Sequence, residues 1–309
     1  MTASDTALFP PEIAPEVTRL RNLIETRLDS YTQFDGECPD SLRDAIRYAL
    51  LAPGKRIRPL LVLTAARICG GDLENALPSA CAVEMIHAYS LIHDDLPAMD
   101  DDKIRRGRPT VHIQFDEATA ILAGDALIPL ALQVISKDTQ PADVAVECVA
   151  RLAAAAGPCH LVGGQMDDLN FQYSQIRDEP FDTKLEALER IHRRKTGSLL
   201  AVSLELGAIS AGASTEDRQR LVDYGRHLGL AFQIVDDLLD LRSTSEDMGK
   251  QTGKDAERGK LTYPSVLGEA ESEARARQMA AAAMEAVEPF GEAAASLNLL
   301  AQFVVERTR

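Results

Sequence analysis

Between residues 41 and 51 the apolar positions are Leu42, Ala45, Ile46, Ala49 and Leu50, a spacing that lays them on one face of a helix. The same three-and-four spacing recurs along almost the whole chain, and no run alternates as a strand would. Helix starts are predicted at Ser41-Leu-Arg-Asp44, Thr183-Lys-Leu-Glu186 and Ser214-Thr-Glu-Asp217, where a hydroxyl can cap backbone N–H groups. Breaks are predicted at Pro53-Gly54, at Gly70-Gly71, and over residues 136–143, 174–183 and 243–264. The most apolar stretches, residues 126–135 and 199–204, are interrupted by Pro129 and stopped by Glu205. Neither reaches the ~20 residues of a spanning helix, so no membrane span is expected. No repeat or linker stands out. The pattern predicts an all-α fold with one domain over residues 1–309, residues 1–16 forming a loosely ordered start.

Composition agrees with helices: aromatic residues are 5% of 309 and Trp is absent. A chain that is 45% hydrophobic and 26% charged is neither disordered nor collagen-like. Its net charge of −15 argues against nucleic acid or an anionic membrane as a general partner. The first fifteen residues lack the basic start and apolar core of a signal peptide. Cys38, Cys69, Cys81, Cys148 and Cys159 are odd in number, scattered and without a C-x-x-C pair. They read as reduced, mostly buried thiols of a cytoplasmic protein, not as a disulfide frame or zinc site.

Two acidic clusters break the ordinary pattern. Asp94, Asp95, Asp100, Asp101 and Asp102 crowd the end of the apolar run 81–92, and Asp236-Asp237-Leu-Leu-Asp240 follows the apolar run 228–235. On a helix Asp236 and Asp240 share a face about 6 Å apart, where like charges repel. Divalent cations relieve such crowding, and hard oxygen donors without His or Cys favour Mg2+ over zinc. A Mg2+ site of this kind commonly holds a substrate phosphate as well.

Basic partners for phosphate are present. Gly54-Lys55-Arg56-Ile57-Arg58-Pro59 reads as a basic turn opening a helix, where backbone N–H groups also favour anions. Lys103, Arg105, Arg106 and Arg108 follow the first acidic cluster; they serve either as its salt-bridge partners or as forked phosphate donors. Lys195-Thr196-Gly197 interrupts a helical stretch. His87, two turns before Asp94, reads by itself as a core histidine or a phosphate donor. Residues 243–264, rich in Gly-Lys pairs, read as a solvated loop or as a flap over phosphate.

Taken together these residues resemble the trans-isoprenyl diphosphate synthases, most nearly the bacterial farnesyl diphosphate synthases. The likeness runs over roughly residues 42–264: GKRIRP (54–59), EMIHAYSLIHDDLPAMDDDKIRRGRPT (84–110), Gly124-Asp125, GGQMDDL (163–169), KTG (195–197), FQIVDDLLD (232–240) and GKQTGKDAERGKLTYP (249–264). It implies a single large helical bundle of the isoprenoid synthase type with a central active-site cavity, assembled as a homodimer. Asp94, Asp100 and Asp236 would ligate three Mg2+, with Asp95 and Asp240 in support; Mn2+ is an alternative ion. Arg105, Lys195, Lys250 and Lys260 would contact the allylic diphosphate. Lys55, Arg58, His87 and Arg106 would hold isopentenyl diphosphate without metal.

The implied chemistry is ionisation, condensation and elimination, with Thr196 and Gln233 offering partial negative charge to an allylic cation. Residues 243–264 would close over the site to exclude water. Tyr89 and Ser90, roughly 6–7.5 Å along the helix axis before Asp94, would floor the prenyl pocket and stop growth at farnesyl. Geranyl or geranylgeranyl synthases differ only in pocket depth. A class I terpene cyclase shares one DDxxD but does not need the Lys55, Arg58 and His87 set. A metal phosphohydrolase lacks its histidines here, and a non-catalytic subunit has no reason to keep the acidic clusters.

Overall fold

The apolar face predicted for residues 41–51 is the buried face of a helix: Ala45, Ile46 and Leu50 are shut from solvent in α2 (Asp40–Leu50). The structure, a computed structural model, describes residues 10–173, 181–242 and 261–306. The fold is all-α, and its chain clusters into two units, residues 1–153 with 203–214 and residues 154–202 with 215–309.

In the first unit α1 (Ala14–Tyr31) buries Leu20, Ile24 and Leu28, one residue per turn. Helix α3 (Ile57–Ile68) leads to α4 (Leu73–Asp94), whose N-cap Asp72 accepts the Glu74 N–H. Helix α4 is buried on nearly every side because α1, α2, α3 and α6 (Glu117–Asp138) all pack on it. Its apolar composition all round is the sequence mark of that central place. Between α4 and α6 lie β1 (Ile104–Arg105), β2 (Arg108–Pro109) and the one-turn α5 (Val111–Gln114). This two-residue hairpin is a departure from the purely helical expectation.

In the second unit, α7 (Ala142–Ala156), which begins in the first, gives way at Gly157 to α8 (Leu161–Tyr173). Next come α9 (Phe181–His192), a π-helical turn (Arg193–Gly197) and α10 (Ser198–Ser210), whose end belongs to the first unit. Helix α11 (Thr215–Arg242) buries Leu221, Leu228, Ala231, Val235 and Leu238. After it come α12 (Tyr263–Leu267), α13 (Glu269–Val287) and α14 (Ala295–Glu306). Helices α11, α13 and α14 pack together, and the Tyr224 hydroxyl donates to the Leu297 carbonyl at 2.7 Å.

Several expectations need correction. Pro129 does not break the chain; it lies inside α6, where Ala123, Leu127, Ala131 and Val134 keep both halves of the helix packed. Glu117–Asp138 is therefore long and apolar enough to cross a membrane by length and composition alone, as is the stretch Ala142–Asn170 across the joint at Gly157, a test that buried core helices also pass. Helix α2 begins at Asp40 after Pro39, without a side-chain cap, so Ser41 is not its cap. Helix α9 begins two residues before Thr183, whereas α11 begins next to Ser214 as predicted. Cys81 and Cys148 are buried as expected and Cys38 and Cys69 partly so, but Cys159 is exposed.

Candidate active site

In the first unit the end of α4 delivers two adjacent aspartates to different surroundings. Asp95, the C-cap, is buried and accepts Arg105 Nε at 2.8 Å and Arg105 Nη2 at 2.6 Å. Burial pushes the Asp95 carboxyl above the usual carboxylate range even with that guanidinium beside it. Asp94 is only half-buried. The chain then folds back: the Asp100 N–H donates to the Asp94 carbonyl at 2.8 Å and the Asp101 N–H to the Leu96 carbonyl at 3.1 Å, with Asp101 at φ 49°. The four-residue spacer thereby returns Asp100 to Asp94.

The hairpin turns on Arg106 and Gly107, both at positive φ, the signature of the tight turn that suits two twisted strands. Arg106 Nη1 donates to the Pro53 carbonyl at 3.0 Å, and Arg108 lies 4.1 Å over the Tyr48 ring. In the basic turn before α3, Arg56 adopts the left-handed conformation and points inward to Glu84 at 2.6 Å and Glu25 at 2.7 Å. It is a structural arginine, and Lys55 and Arg58 flank it. Arg58 Nε is buried without a hydrogen-bond partner. Enclosure and the neighbouring Arg106 lower the Arg58 pKa. Enclosure, then Arg58, Arg106, Arg105 and Arg56, hold His87 well below the ordinary histidine value. This crowd of positive charge with an orphaned donor is built for an anion. A cavity borders it, lined by His87, Ala88, Leu91, Asp95, Arg105 and Arg106 among others.

Tyr89 is buried and meets the His93 ring edge-on, centroids 5.8 Å apart. Burial, and then the Asp94 charge, raise its phenol pKa. The Ser90 hydroxyl donates to the His87 carbonyl at 2.9 Å, a bond within the helix.

The second unit gathers Lys195, Thr196, Gln233 and Asp236. Lys195 and Thr196 sit in the π-helical turn, a form frequent at functional sites. Helices α8 and α11 approach it through glycine: a Cβ on Gly164 would stand 2.4 Å from the Lys195 nitrogen, and one on Gly229 would stand 3.0 Å from the Gly197 Cα. Lys195 Nζ reaches Asp168 Oδ2 at 2.7 Å, and Arg194 Nη1 reaches Asp167 Oδ2 at 2.6 Å. The Thr196 hydroxyl donates to Gln233 Oε1 at 3.2 Å, and Gln233 Nε2 donates to Asp237 Oδ1 at 3.2 Å. Asp237 is buried, while Asp236 and Asp240 are half-buried on the next face of α11. Lys250 and Lys260 lie outside the described residues.

Asp167 and Asp168 are the site members to which the sequence reading gave no role, and Asp237 was read only as part of the acidic cluster. The signal for the first two was an acidic pair in GGQMDDL that needed a basic partner, and Arg194-Lys195 supplied it. Among the described residues no group of three or more His, Cys, Asp or Glu side chains forms a closed metal cage. Asp94 and Asp100 offer oxygen donors alone, the chemistry that suits Mg2+.

A family model described as polyprenyl synthetase matches residues 39–297. The chain is 47% identical over 271 residues to a geranylgeranyl diphosphate synthase of Cyanophora paradoxa, covering 87% of this chain and 88% of the relative. It is 46% identical over 250 residues to a farnesyl diphosphate synthase of Geobacillus stearothermophilus, covering 80% and 82%. Among solved structures, an apo FPP/GFPP synthase from Zymomonas mobilis superposes with a TM-score of 0.84 at 37% identity, covering 95% of this chain and 99% of that one.

Proposed function

From the premise that the chain belongs to the polyprenyl synthetase family and is a prenyltransferase, we propose that it condenses isopentenyl diphosphate with dimethylallyl or geranyl diphosphate to give (2E,6E)-farnesyl diphosphate and diphosphate. The observation that carries this reading is the basic cluster at the start of α3, where Arg58 Nε is orphaned and His87 is kept neutral among arginines. A terpene cyclase needs no second diphosphate site of that kind.

Lys55, Arg58, His87 and Arg106 hold the isopentenyl diphosphate by charge and hydrogen bonding alone. Asp94, Asp100 and Asp236 are the Mg2+ ligands. When bound, Mg2+ supplies Lewis-acid stabilisation of the departing diphosphate. Arg105, fixed by Asp95, and Lys195, fixed by Asp168, meet the same developing charge; Lys250 and Lys260 join them. Ionisation leaves an allylic cation. The Thr196 hydroxyl oxygen, with its proton committed to Gln233, turns lone pairs outward, and the Gln233 oxygen adds to that negative potential. The isopentenyl double bond attacks the cation, a carbon–carbon bond forms, and the proton is lost to the departed diphosphate.

Tyr89 sets the depth of the pocket in this reading, as a buried aromatic one to two turns before Asp94. Relatives of both names make geranylgeranyl diphosphate the second reading. We further propose a homodimer, because α5, α6 and α7 leave Ile113, Ile121, Leu122 and Val146 exposed in the first unit, apolar surface that a second copy would cover. The test is purified protein with Mg2+, isopentenyl diphosphate and dimethylallyl diphosphate, the products dephosphorylated and sized by gas chromatography. Farnesol carries the reading and geranylgeraniol moves it to the second. No prenyl alcohol, or an equal yield after chelation, sinks both. Light scattering at the mass of one chain removes the dimer.

A further inference from the structure

The second acidic motif contains a carboxylate to which the chemistry above gives no task. Asp236-Asp237-Leu-Leu-Asp240 lies on α11, where residues four apart share a face. Asp236 and Asp240 form one such pair, half-buried. Asp237 pairs with Gln233 on the adjacent face and is 8% exposed. Asp237 Oδ1 accepts Gln233 Nε2 at 3.2 Å, and Oδ2 accepts the backbone N–H of Tyr263 at 2.9 Å. The Tyr263 ring stacks on His192, centroids 5.5 Å apart, which closes this side of the carboxylate.

A carboxylate accepts and does not donate, so it can face only the NH2 end of an amide. A glutamine amide is nearly symmetric in shape and turns over unless its partners forbid it. With Nε2 committed to Asp237, Oε1 must lie on the other side, where it takes the Thr196 proton at 3.2 Å. One buried acid thus decides which end of Gln233 faces Thr196. Asparagine could not replace it. Its single oxygen can meet Gln233 or Tyr263, and its NH2 would then face an N–H donor or invite the Gln233 amide to turn.

We propose that Asp237 is a positioning residue, not a metal ligand: it locks the Gln233 amide so that Oε1 and the Thr196 hydroxyl oxygen are presented together to the allylic cation. This rests on the prenyltransferase reading of the same site. It divides the motif between two tasks, Asp236 and Asp240 toward Mg2+ and Asp237 toward the amide.

The test uses the full chain. In Asp237→Asn, kcat for condensing isopentenyl with geranyl diphosphate should fall on the order of 10²-fold, the usual cost of a misplaced catalytic group. KM for geranyl diphosphate should move by less than about threefold, since ground-state binding is untouched. Calorimetry with Mg2+ and inorganic diphosphate should show wild-type affinity in Asp237→Asn and weakened affinity in Asp236→Asn. Losses in kcat from Asp237→Asn and Thr196→Val should overlap in the double variant, because both act through one amide. Additive losses, or Mg2+ affinity weakened as in Asp236→Asn, would overturn the proposal.

Should Asp237→Asn fail to fold, nuclear magnetic resonance on the unliganded wild-type protein decides. One Gln233 side-chain amide proton should be shifted downfield and slow to exchange; two protons with free-amide values would overturn the proposal. That measurement needs no turnover, so failure of the wild type to condense any substrate would sink the prenyltransferase reading and leave this one decided separately.

Discussion

Arg56 Nη1 stands 2.6 Å from Glu84 Oε1, and neither side chain is more than 5% exposed. Arg56 also donates to Glu25 and to the Leu50 and Ala52 carbonyls, which ties the end of α2 and the turn before α3 to the middle of α4. The link frames the basic turn before α3 from behind. Arg56→Met leaves Glu84 buried without its cation and should cost about 3–5 kcal/mol of stability. Arg56→Met with Glu84→Leu should recover most of that. Urea denaturation of both variants checks it; equal losses in the two would show that the charge pair is not what the single change removed.

Gly164 faces the π-helical turn so closely that a methyl group has no room against the Lys195 nitrogen. Gly164→Ala forces backbone, not a side-chain tip, to give way, and the expected cost is about 1–3 kcal/mol. Because the atom displaced carries Lys195, turnover should drop more than the melting temperature alone implies. Activity measured well below the melting point separates the two effects, and unchanged kcat there would remove Gly164 as a support of the turn.

His87 makes stability fall in acid. Its pKa is lowered in the folded protein, so the unfolded chain binds the proton more readily. The contribution is full above the unfolded value of about 6.5 and is lost as pH falls from there toward the depressed folded value. Each pH unit in that window should cost up to about 1.4 kcal/mol, the slope for one proton. In His87→Gln the slope attributable to this group vanishes. Denaturation midpoints of wild type and variant at pH 7, 6 and 5 give the comparison, and parallel curves would show that His87 is not titrating differentially.

Tyr89→Ala opens the space one to two turns before Asp94. The product should lengthen from C15 to C20 or beyond, read by gas chromatography after dephosphorylation. The edge-on contact with His93 also goes, at a cost of about 0.5–1.5 kcal/mol beyond the lost burial. An unchanged product would place the floor elsewhere.

Periodicity sufficed where one face carries the burial. The apolar set of α2 and the break between α3 and α4 follow from local spacing. Pro129 misled because a proline interrupts a helix only when packing on both sides cannot hold it, and the partners of α6 come from α2 and α4, far away in sequence. Arg56 and Arg58 are the same residue type two places apart, yet one is paired with two glutamates inside the protein and the other keeps an orphaned donor. The difference lies in a left-handed backbone at Arg56, which no pattern of charges displays. Asp95 and Asp237 likewise looked like members of metal clusters, and burial against Arg105 and Gln233 distinguishes them from Asp94 and Asp236.

The five residues of the π-helical turn have one more consequence. A π turn is an α-helix carrying a surplus residue, held open because neighbouring helices occupy its bulge. Delete one residue between Arg193 and Gly197, and the backbone can close into regular helix, the form it prefers. The flanking helices keep their register, because the bulge is what absorbed the surplus residue, but the bulge that carries Lys195 and Thr196 disappears. Lys195 and Thr196 would part from Asp168 and Gln233 while the spectrum of a helical protein stayed the same. The arrangement of Lys195 and Thr196 is stored as a miscount, and under the proposed function a gene one codon shorter would encode a well-folded chain with nothing to do.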